Sequence, residues 1–267
     1  MIAAAASDPL YTTDFGEGPR HLLAIHCTLA HSGAWKALAR ALTGEARLTS
    51  FDMPSHGRSP DWDRQSDYFA LGWRQAFDML EDGMDVVGHS FGAMVALRAA
   101  ALAPQKVRSL TLIEPVFFKA AMDRAPDVVA AHDAEARPFH EAYKQGDDEM
   151  SARLFNRMWA NGARWADMPE AARNAMVRAI PVVSACSAAI YEDTEGLLED
   201  SVMSSLTMPV RLVRGDQSHP VIIPVLDGLA ERLPNARIEV IEGAGHMAPI
   251  SHPQETAAIL RDFFTES

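Results

Sequence analysis

The chain contains 267 residues, a length that suits one large α/β domain or two small ones. Its hydrophobic fraction of 48% and charged fraction of 22% are typical of a soluble globular protein and exclude a disordered or fibrous chain. The net charge of −12, with no cluster of lysine and arginine, disfavours nucleic acid and an anionic membrane surface as partners.

Cysteine content and the first twenty residues bear on the compartment. Two cysteines, Cys27 and Cys186, are too few for a disulfide framework, and their separation matches no zinc-binding spacing. The N-terminal sequence lacks the basic region and long apolar run of an export signal, and no uncharged run approaches the length of a membrane span. We therefore expect a reduced, cytoplasmic protein.

Short apolar runs bounded by turn residues alternate with longer segments of helical period. This alternation predicts an α/β fold in which helices flank a mainly parallel sheet. The predicted strands are residues 22–26, 46–52, 85–88, 107–114, 210–215 and 237–242. The predicted helices are residues 35–42, 67–81, 91–102, 221–232 and 254–264. Most of the strands end at a polar residue, and sheets of this type bind their ligands at the carboxyl ends of the strands.

The strand pattern stops after the strand that ends at Glu114, and helical periodicity continues over residues 117–206. We expect this segment to form an all-helical cap. Residues 1–116 and 207–267 then form the core that carries the sheet.

Residues 88–92, Gly-His-Ser-Phe-Gly, follow a predicted strand and precede a predicted helix. Flanking glycines in this context allow a sharp turn that presents a serine hydroxyl, which makes Ser90 a candidate nucleophile rather than an ordinary turn serine. Phe91 opens the following helix, so its backbone N–H can point at a developing oxyanion with the helix dipole behind it.

A serine nucleophile needs a base, and His246 follows the last predicted strand. Its late position agrees with the order serine, acid, histidine that this architecture requires, although a solvated loop histidine is the alternative. We expect His56 to brace a turn and His89 to be a partly buried neighbour of Ser90.

Four segments taken together resemble one known family. They are LLAIHCTLAHSGAW (22–35), FDMPSHGRSP (51–60), VVGHSFGA (86–93) and EGAGHMAPISHP (242–253). In this order they resemble the motifs of the α/β hydrolases, in the capped branch that includes esterases and haloalkane dehalogenases. The resemblance covers nearly the whole chain. It implies that the backbone N–H of Thr28 completes an oxyanion hole with that of Phe91.

The chain departs from the family pattern at three positions. Cys27 replaces the usual glycine of the His-Gly pair, and we expect a small buried hydrophobe there rather than a reactive thiol. Ser55 replaces the glycine before His56. Ser218 stands where the common Gly-x-x-Asp pattern places the acid of the triad.

The third departure leaves two candidates for the acid. Some family members, haloalkane dehalogenases among them, take it from the end of the strand after the nucleophile, where this chain has Glu114, 24 residues after Ser90. A carboxylate that ends an apolar strand is poorly explained as a surface charge, because buried carboxylates need a partner. We therefore favour Glu114, held against His246. Asp216 remains the alternative acid, with bracing of its own loop as its other possible role.

These residues predict an acyl-transfer mechanism in which Ser90 attacks an ester and His246 moves the proton, without a metal or an organic cofactor. The predicted substrate is a small to medium apolar or aryl ester. The residues expected to line its pocket are Leu29, Phe117, Phe118, Trp159 and Met247.

Other functions share the same motifs. A thioesterase, a lactonase, a carbon–carbon hydrolase and a cofactor-free dioxygenase can all use this geometry, and a ligand-binding protein without chemistry can use the fold. Haloalkane dehalogenation and epoxide hydrolysis are disfavoured, because those relatives have a carboxylate nucleophile where this chain has Ser90. The motifs specify neither the physiological substrate nor the oligomeric state.

Overall fold

The structure, a computed structural model, describes residues 9–160 and 164–266. Its centre is a seven-stranded sheet in the order β1-β3-β2-β4-β5-β6-β7. The strands are β1 (Thr12–Phe15), β2 (Arg20–Ile25), β3 (Ala46–Phe51), β4 (Met84–His89), β5 (Val107–Ile113), β6 (Val210–Gly215) and β7 (Ala236–Ile241). β1 pairs antiparallel with β3, and the other neighbours are parallel. The predicted fold class is confirmed.

All six predicted strands are present, and β1 is the strand that the sequence did not predict. The central strands are buried on both faces and therefore read as continuous apolar runs; every residue of β4 is buried. β1 lies at the edge of the sheet, and its four residues alternate between exposed and half-buried. A short polar edge strand carries no such apolar run.

Helices cover both faces of the sheet. In chain order they are α1 (Lys36–Ala41), α2 (Tyr68–Asp78), α3 (Phe91–Leu102), α4 (Lys119–Met122), α5 (Pro126–Lys144), α6 (Asp148–Trp159), α7 (Glu170–Ala179), α8 (Pro181–Ala185), α9 (Ser187–Glu192), α10 (Asp200–Ser205), α11 (Ile222–Ala230), α12 (Ala248–Ser251) and α13 (Pro253–Glu266). Each of the five predicted helices has its counterpart, in α1, α2, α3, α11 and α13.

Alternate side chains of β2 pack into two separate cores, as the twofold repeat of a strand requires. Leu23 and Ile25 belong to the larger core, which also contains much of α3. Leu22 and Ala24 belong to the smaller core, together with side chains of α1 and α13. Packing on both faces fixes the carboxyl ends of the parallel strands, from which the candidate site is built.

The chain between β5 and β6 is helical. Its described residues, up to 160 and from 164 onward, form α4 to α10 with connecting loops and contain no strand. α5 packs along α6, and α4 packs against α11. The boundaries of a separate cap at residues 117 and 206 stay a prediction.

Candidate active site

Ser90 lies in a sharp turn between β4 and α3. Its backbone is in an unusual conformation, with φ 56° and ψ −119°, and its N–H continues the strand ladder by donating to the carbonyl oxygen of Ile113 at 2.8 Å. Such a conformation is strained for a residue with a side chain and persists only where its surroundings enforce it. A β-carbon added at Gly92 would collide with the carbonyl oxygens of Ile25 and His26, so α3 approaches β2 as closely as glycine allows.

His246 lies on the loop between β7 and α12, and its Nε2 is 3.0 Å from Ser90 Oγ. Both side chains are buried, at 5% and 4% exposure. His89, the last residue of β4, donates from Nε2 to the backbone carbonyl of His246 at 2.7 Å. Burial lowers the pKa of His89 to about 3, so this imidazole is neutral and acts as a support for the loop.

Glu114 follows β5 with φ 53°, and its side chain is fully buried. Its Oε2 lies 3.1 Å from His246 Nδ1. Its Oε1 accepts hydrogen bonds from the backbone N–H of Gly215 at 2.7 Å and from the Ser218 hydroxyl. Three donors therefore surround this carboxylate, which offsets the cost of burying it.

Asp216 is exposed, and its Oδ1 accepts a hydrogen bond from the N–H of Gly243 at 2.8 Å. It thus ties the end of β6 to the loop that leads to His246. The geometry brings Glu114 to the imidazole and leaves Asp216 outside.

Thr28 and Phe91, the residues expected to supply oxyanion-hole N–H groups, line one cavity together with Ser90 and His246. Phe91 is the first residue of α3, where backbone N–H groups have no partner within the helix. The oxyanion-hole role of these two N–H groups stays a prediction.

Two buried histidines hold the loop that carries Thr28. His26 donates from Nδ1 to the Cys27 carbonyl at 2.7 Å, and His56 accepts from the N–H of Leu29 at Nε2, at 2.9 Å. Burial lowers their pKa values to about 4 and about 3, which keeps both imidazoles neutral. The sequence predicted a bracing role for His56 and missed the one for His26.

Two departures from the family pattern have a structural explanation. Cys27 is buried, and burial raises the pKa of its thiol to about 12, so it remains an uncharged thiol. Ser55 adopts φ 64°, the left-handed region that glycine enters most readily. Its hydroxyl accepts a hydrogen bond from the N–H of Trp62 at 2.9 Å, which helps to hold the turn.

A cavity of about 60 Å³ lies beside Ser90 and His246. The Trp159 ring lies against the imidazole of His246, with 4.4 Å between centroids. The cavity walls are mainly apolar, with Val116, Phe118, Phe139, Phe155, Val183 and Ile190 among the lining residues.

A second, larger cavity of about 700 Å³ adjoins the first, with which it shares Thr28, Phe155 and Trp159. We call it the groove. It runs between the loop after β2, the end of α6 and α7, and its remaining apolar lining includes Met168, Ala171, Ala172, Ala175, Met176 and Ile250.

The five predicted pocket residues fall in three places. Phe118 and Trp159 line the smaller cavity. Leu29 and Met247 line the groove. Phe117 lines neither, because its side chain is fully buried in the larger core. Two adjacent aromatic residues in a turn point different ways, and the sequence does not say which one faces a cavity.

Over residues 9–160 and 164–266, no group of three or more histidine, cysteine or acidic side chains is arranged to hold a metal ion. Over the same residues, no helix is both long and apolar enough to cross a membrane.

Residues 22–259 match the family model described as the alpha/beta hydrolase family. The chain therefore belongs to the α/β-hydrolase family, as the sequence motifs implied.

Comparison with known proteins adds two relatives in sequence and one likeness in fold. The chain is 30% identical to lipase LipV of Mycobacterium tuberculosis, over 91% of this chain and 93% of that protein. It is 27% identical to the pimeloyl-[acyl-carrier protein] methyl ester esterase of Methylococcus capsulatus, over 97% and 99% of the two chains. The crystal structure of a bromoperoxidase from Bacillus anthracis superposes with a TM-score of 0.72 at 19% identity, over 96% of this chain and 95% of that one. The last likeness concerns the fold alone.

Proposed function

We propose that this chain is a serine hydrolase that cleaves carboxylic esters through an acyl-enzyme. One observation carries the proposal: a buried hydrogen-bonded chain runs from Ser90 Oγ through His246 to Glu114 Oε2, with links of 3.0 Å and 3.1 Å. This is the arrangement by which an ordinary serine hydroxyl is made nucleophilic.

In the proposed reaction the Ser90 hydroxyl attacks the ester carbonyl and gives its proton to His246 Nε2. Glu114 holds Nδ1–H and stabilises the imidazolium that forms. The backbone N–H groups of Thr28 and Phe91 bind the negative oxygen of the tetrahedral intermediate. His246 then protonates the departing alcohol, and a water molecule activated by the same imidazole releases the acid.

The named relatives support ester cleavage over its rivals. One is a lipase and the other a methyl ester esterase, and each aligns with more than nine-tenths of this chain. A thioesterase, a lactonase or a carbon–carbon hydrolase would use the same three side chains, but no contact around Ser90 favours any of them. The complete chain of hydrogen bonds argues against a protein that only binds its ligand.

The two cavities suggest the shape of the substrate. The small cavity, at about 60 Å³, suits a short substrate group. The groove offers over ten times that volume behind mostly apolar walls. We propose an ester with a short group in the small cavity and a longer apolar group in the groove.

We also propose that residues 117–206 act as a cap over the core. Trp159 reaches the imidazole of His246 from this segment. Arg178 of α7 donates to the carbonyl oxygens of Gly57 at 3.1 Å and Ser59 at 2.7 Å, on the loop that contains His56. These contacts tie the helical segment to the core next to the oxyanion side of the site.

The other parts of the proposal follow from charge and chemistry. Serine, imidazole and backbone N–H groups supply the nucleophile, the proton transfer and the charge stabilisation, so the reaction needs neither a metal nor a cofactor. The net charge of −12 argues against nucleic acid as a partner. Two buried free cysteines fit a reducing, cytoplasmic setting.

The test is hydrolysis of p-nitrophenyl butyrate by the wild type and by Ser90→Ala. We expect Ser90→Ala to lose at least about 10⁴-fold in kcat, because no other group replaces the nucleophile. Ser204→Ala removes an exposed hydroxyl that is distant from Ser90 in the sequence, and it serves as the matched control. A fluorophosphonate probe should label the wild type at Ser90 and leave Ser90→Ala unlabelled. Retention of activity by Ser90→Ala would overturn the proposal.

A further inference from the structure

Three residues, Thr28, Phe155 and Trp159, line both the small cavity and the groove, and we call them the boundary. Ser90 and His246 line the small cavity and do not line the groove. The reacting groups and the larger binding space therefore lie on opposite sides of the boundary. A substrate that occupies both cavities has to pass these three residues.

The rings of Phe155 and Trp159 form the aromatic part of the boundary. The two residues are four apart on α6, so they lie one above the other on the same face of the helix, with 6.4 Å between ring centroids. The Phe155 ring packs edge-on against Phe139, at 5.4 Å between centroids. The Trp159 ring lies 4.4 Å from that of His246. Neighbouring rings therefore hold both side chains in place.

Thr28, the third residue of the boundary, belongs to a turn that is fixed by hydrogen bonds. The N–H of Ala30 donates to the carbonyl oxygen of Cys27 at 3.3 Å. The N–H of Leu29 donates to Nε2 of His56 at 2.9 Å. The backbone of this turn cannot move away from α6 without loss of these bonds, so the rings set the space that a substrate has to pass.

The lining of the groove indicates what lies beyond the boundary. Of the described residues that line it, none is acidic and none is lysine or arginine. The wall that α7 supplies consists of alanines and Met176, which are small or unbranched side chains. Such a wall suits an uncharged alkyl chain, because alkyl groups leave no polar atom without a partner there.

Shape then separates one alkyl chain from another. An unbranched chain has the same narrow cross-section at every carbon, whereas a methyl branch widens it at one carbon. Protein interiors are close-packed, and a ring that is packed against its neighbours loses contacts when it is displaced. A branch at the carbons beside the rings would therefore displace Phe155 or Trp159, and a linear chain would not.

We infer that Phe155 and Trp159 determine specificity by selecting esters with an unbranched alkyl chain, which runs from Ser90 past the two rings into the groove. The inference rests on the proposed function, because it concerns the same site. The chain belongs to the acyl group or to the alcohol of the ester. Both arrangements place an alkyl chain against the same two rings, and the experiment distinguishes them.

The experiment uses two series of isomeric esters, both followed by proton release. In the first, methyl hexanoate is compared with the methyl esters of 2-, 3- and 4-methylpentanoic acid. In the second, hexyl acetate is compared with the acetates of 2-, 3- and 4-methylpentan-1-ol. For each isomer the ratio of kcat/KM, branched ester over linear ester, is measured. Comparison of one ratio between variants cancels differences in intrinsic reactivity.

Three variants separate recognition from folding. Phe155→Ala opens the boundary and leaves the ring that contacts His246 in place, and Phe155→Leu is a smaller change at the same position. Phe77→Ala is the matched control, because Phe77 of α2 is also partly buried against the larger core and lines neither cavity. Circular dichroism checks that each variant folds, and Ser90→Ala is assayed in parallel.

We expect at least one ratio to rise about tenfold in Phe155→Ala, to rise less in Phe155→Leu and to stay unchanged in Phe77→Ala. A rise among the methyl esters assigns the chain to the acyl group, and a rise among the acetates assigns it to the alcohol. Ratios within threefold of the wild type for both Phe155 variants in both series would overturn the inference. An equal rise in Phe77→Ala would also overturn it.

The inference and the proposed function can fail separately. A wild type that hydrolyses p-nitrophenyl butyrate but neither linear ester would overturn the inference alone. If the ratios do not change and Ser90→Ala is inactive, the esterase proposal stands and only the role of the two rings fails. If Ser90→Ala retains activity, the proposed function fails instead.

Discussion

The ends of β5 and β6 lie side by side in the sheet, and each carries an acidic residue that holds the loop of His246. Glu114, after β5, is fully buried and reaches the imidazole. Asp216, after β6, is exposed and reaches only the backbone of Gly243. The carboxylate after β5 therefore orients the side chain of His246, whereas the carboxylate after β6 braces the backbone of the loop that carries it.

The difference shows that burial and partners decide which carboxylate can serve the histidine. Ser218 occupies the position where the family pattern has its acid, and its hydroxyl donates to Glu114 instead. The N–H of Gly215 donates to the same oxygen. The carboxylate of Glu114 thus comes from the end of β5, and two of its hydrogen-bond donors come from the end of β6.

The largest expected effect comes from exchanging carboxylate for amide at the two strand ends. Glu114→Gln should lower kcat on p-nitrophenyl butyrate by about 10³- to 10⁴-fold, because an amide favours the wrong tautomer of His246. Asp216→Asn should stay within threefold of the wild type. Steady-state kinetics on both variants measure the contrast. The reverse result, a large loss in Asp216→Asn alone, would transfer the acid role to Asp216.

Three buried histidines at or after the ends of β2, β3 and β4 should make stability depend on pH. The folded protein holds the pKa values of His26, His56 and His89 at about 4, 3 and 3, below the ordinary value of 6.5. Between about pH 4 and 6.5 these three histidines therefore bind more protons in the unfolded chain than in the folded protein. Their contribution to stability falls as the pH is lowered and is constant above about pH 7.5. Each histidine contributes at most about 1.4 kcal/mol per pH unit in this window.

Urea unfolding at pH 5, 6, 7 and 8 measures this dependence. His56→Gln keeps an acceptor near the N–H of Leu29 and removes the titrating group, so its slope below pH 6.5 should be smaller than that of the wild type. Equal slopes for the two proteins would show that His56 does not stay neutral in the folded state.

Loss of the Ser218 hydroxyl, which donates to Glu114, should have a smaller effect on catalysis. Ser218→Ala should lower kcat about tenfold with little change in KM, because Glu114 loses one of its hydrogen bonds while the Gly215 N–H remains. Ser218→Thr keeps the hydroxyl and should stay close to the wild type. If Ser218→Ala lost less than twofold, the hydroxyl would have no role in holding the carboxylate.

The smallest effect is expected from removal of the exposed carboxylate of Asp216. Asp216→Ala removes the acceptor for the N–H of Gly243 and should lower the free energy of unfolding by about 1 kcal/mol, with a Tm lower by about 2–4 °C. Asp216→Asn keeps an acceptor and should lose less. Differential scanning calorimetry of the two variants measures this. Equal Tm values for the two would mean that the contact does not stabilise the loop.

The sequence predicted the parts of this molecule that depend on local pattern. The six parallel strands contain apolar runs or regular apolar alternation, so their positions were predicted to within about two residues. Ser90 and Glu114 follow central strands, His246 follows the edge strand β7, and the structure brings the three together. β1 was missed because its four residues, Thr-Thr-Asp-Phe, contain a single apolar side chain.

Features that depend on packing between distant segments were not predictable. The bond from Ser218 to Glu114 joins residues 104 apart. Phe117 and Phe118 both pack in the larger core, and the path of one turn decides that Phe118 also lines the small cavity. In each case the sequence names the residue type but not its neighbours.

The close approach at Gly92 limits how this site can vary. One N–H of the proposed oxyanion hole comes from α3 and the other from the loop after β2, and the missing side chain of Gly92 lets these two parts touch. A single methyl group at position 92 would push them apart while every reacting group stayed in the chain. The protein would then keep all of its reacting groups and lose their alignment. A position that never meets the substrate can therefore be as intolerant of change as the nucleophile.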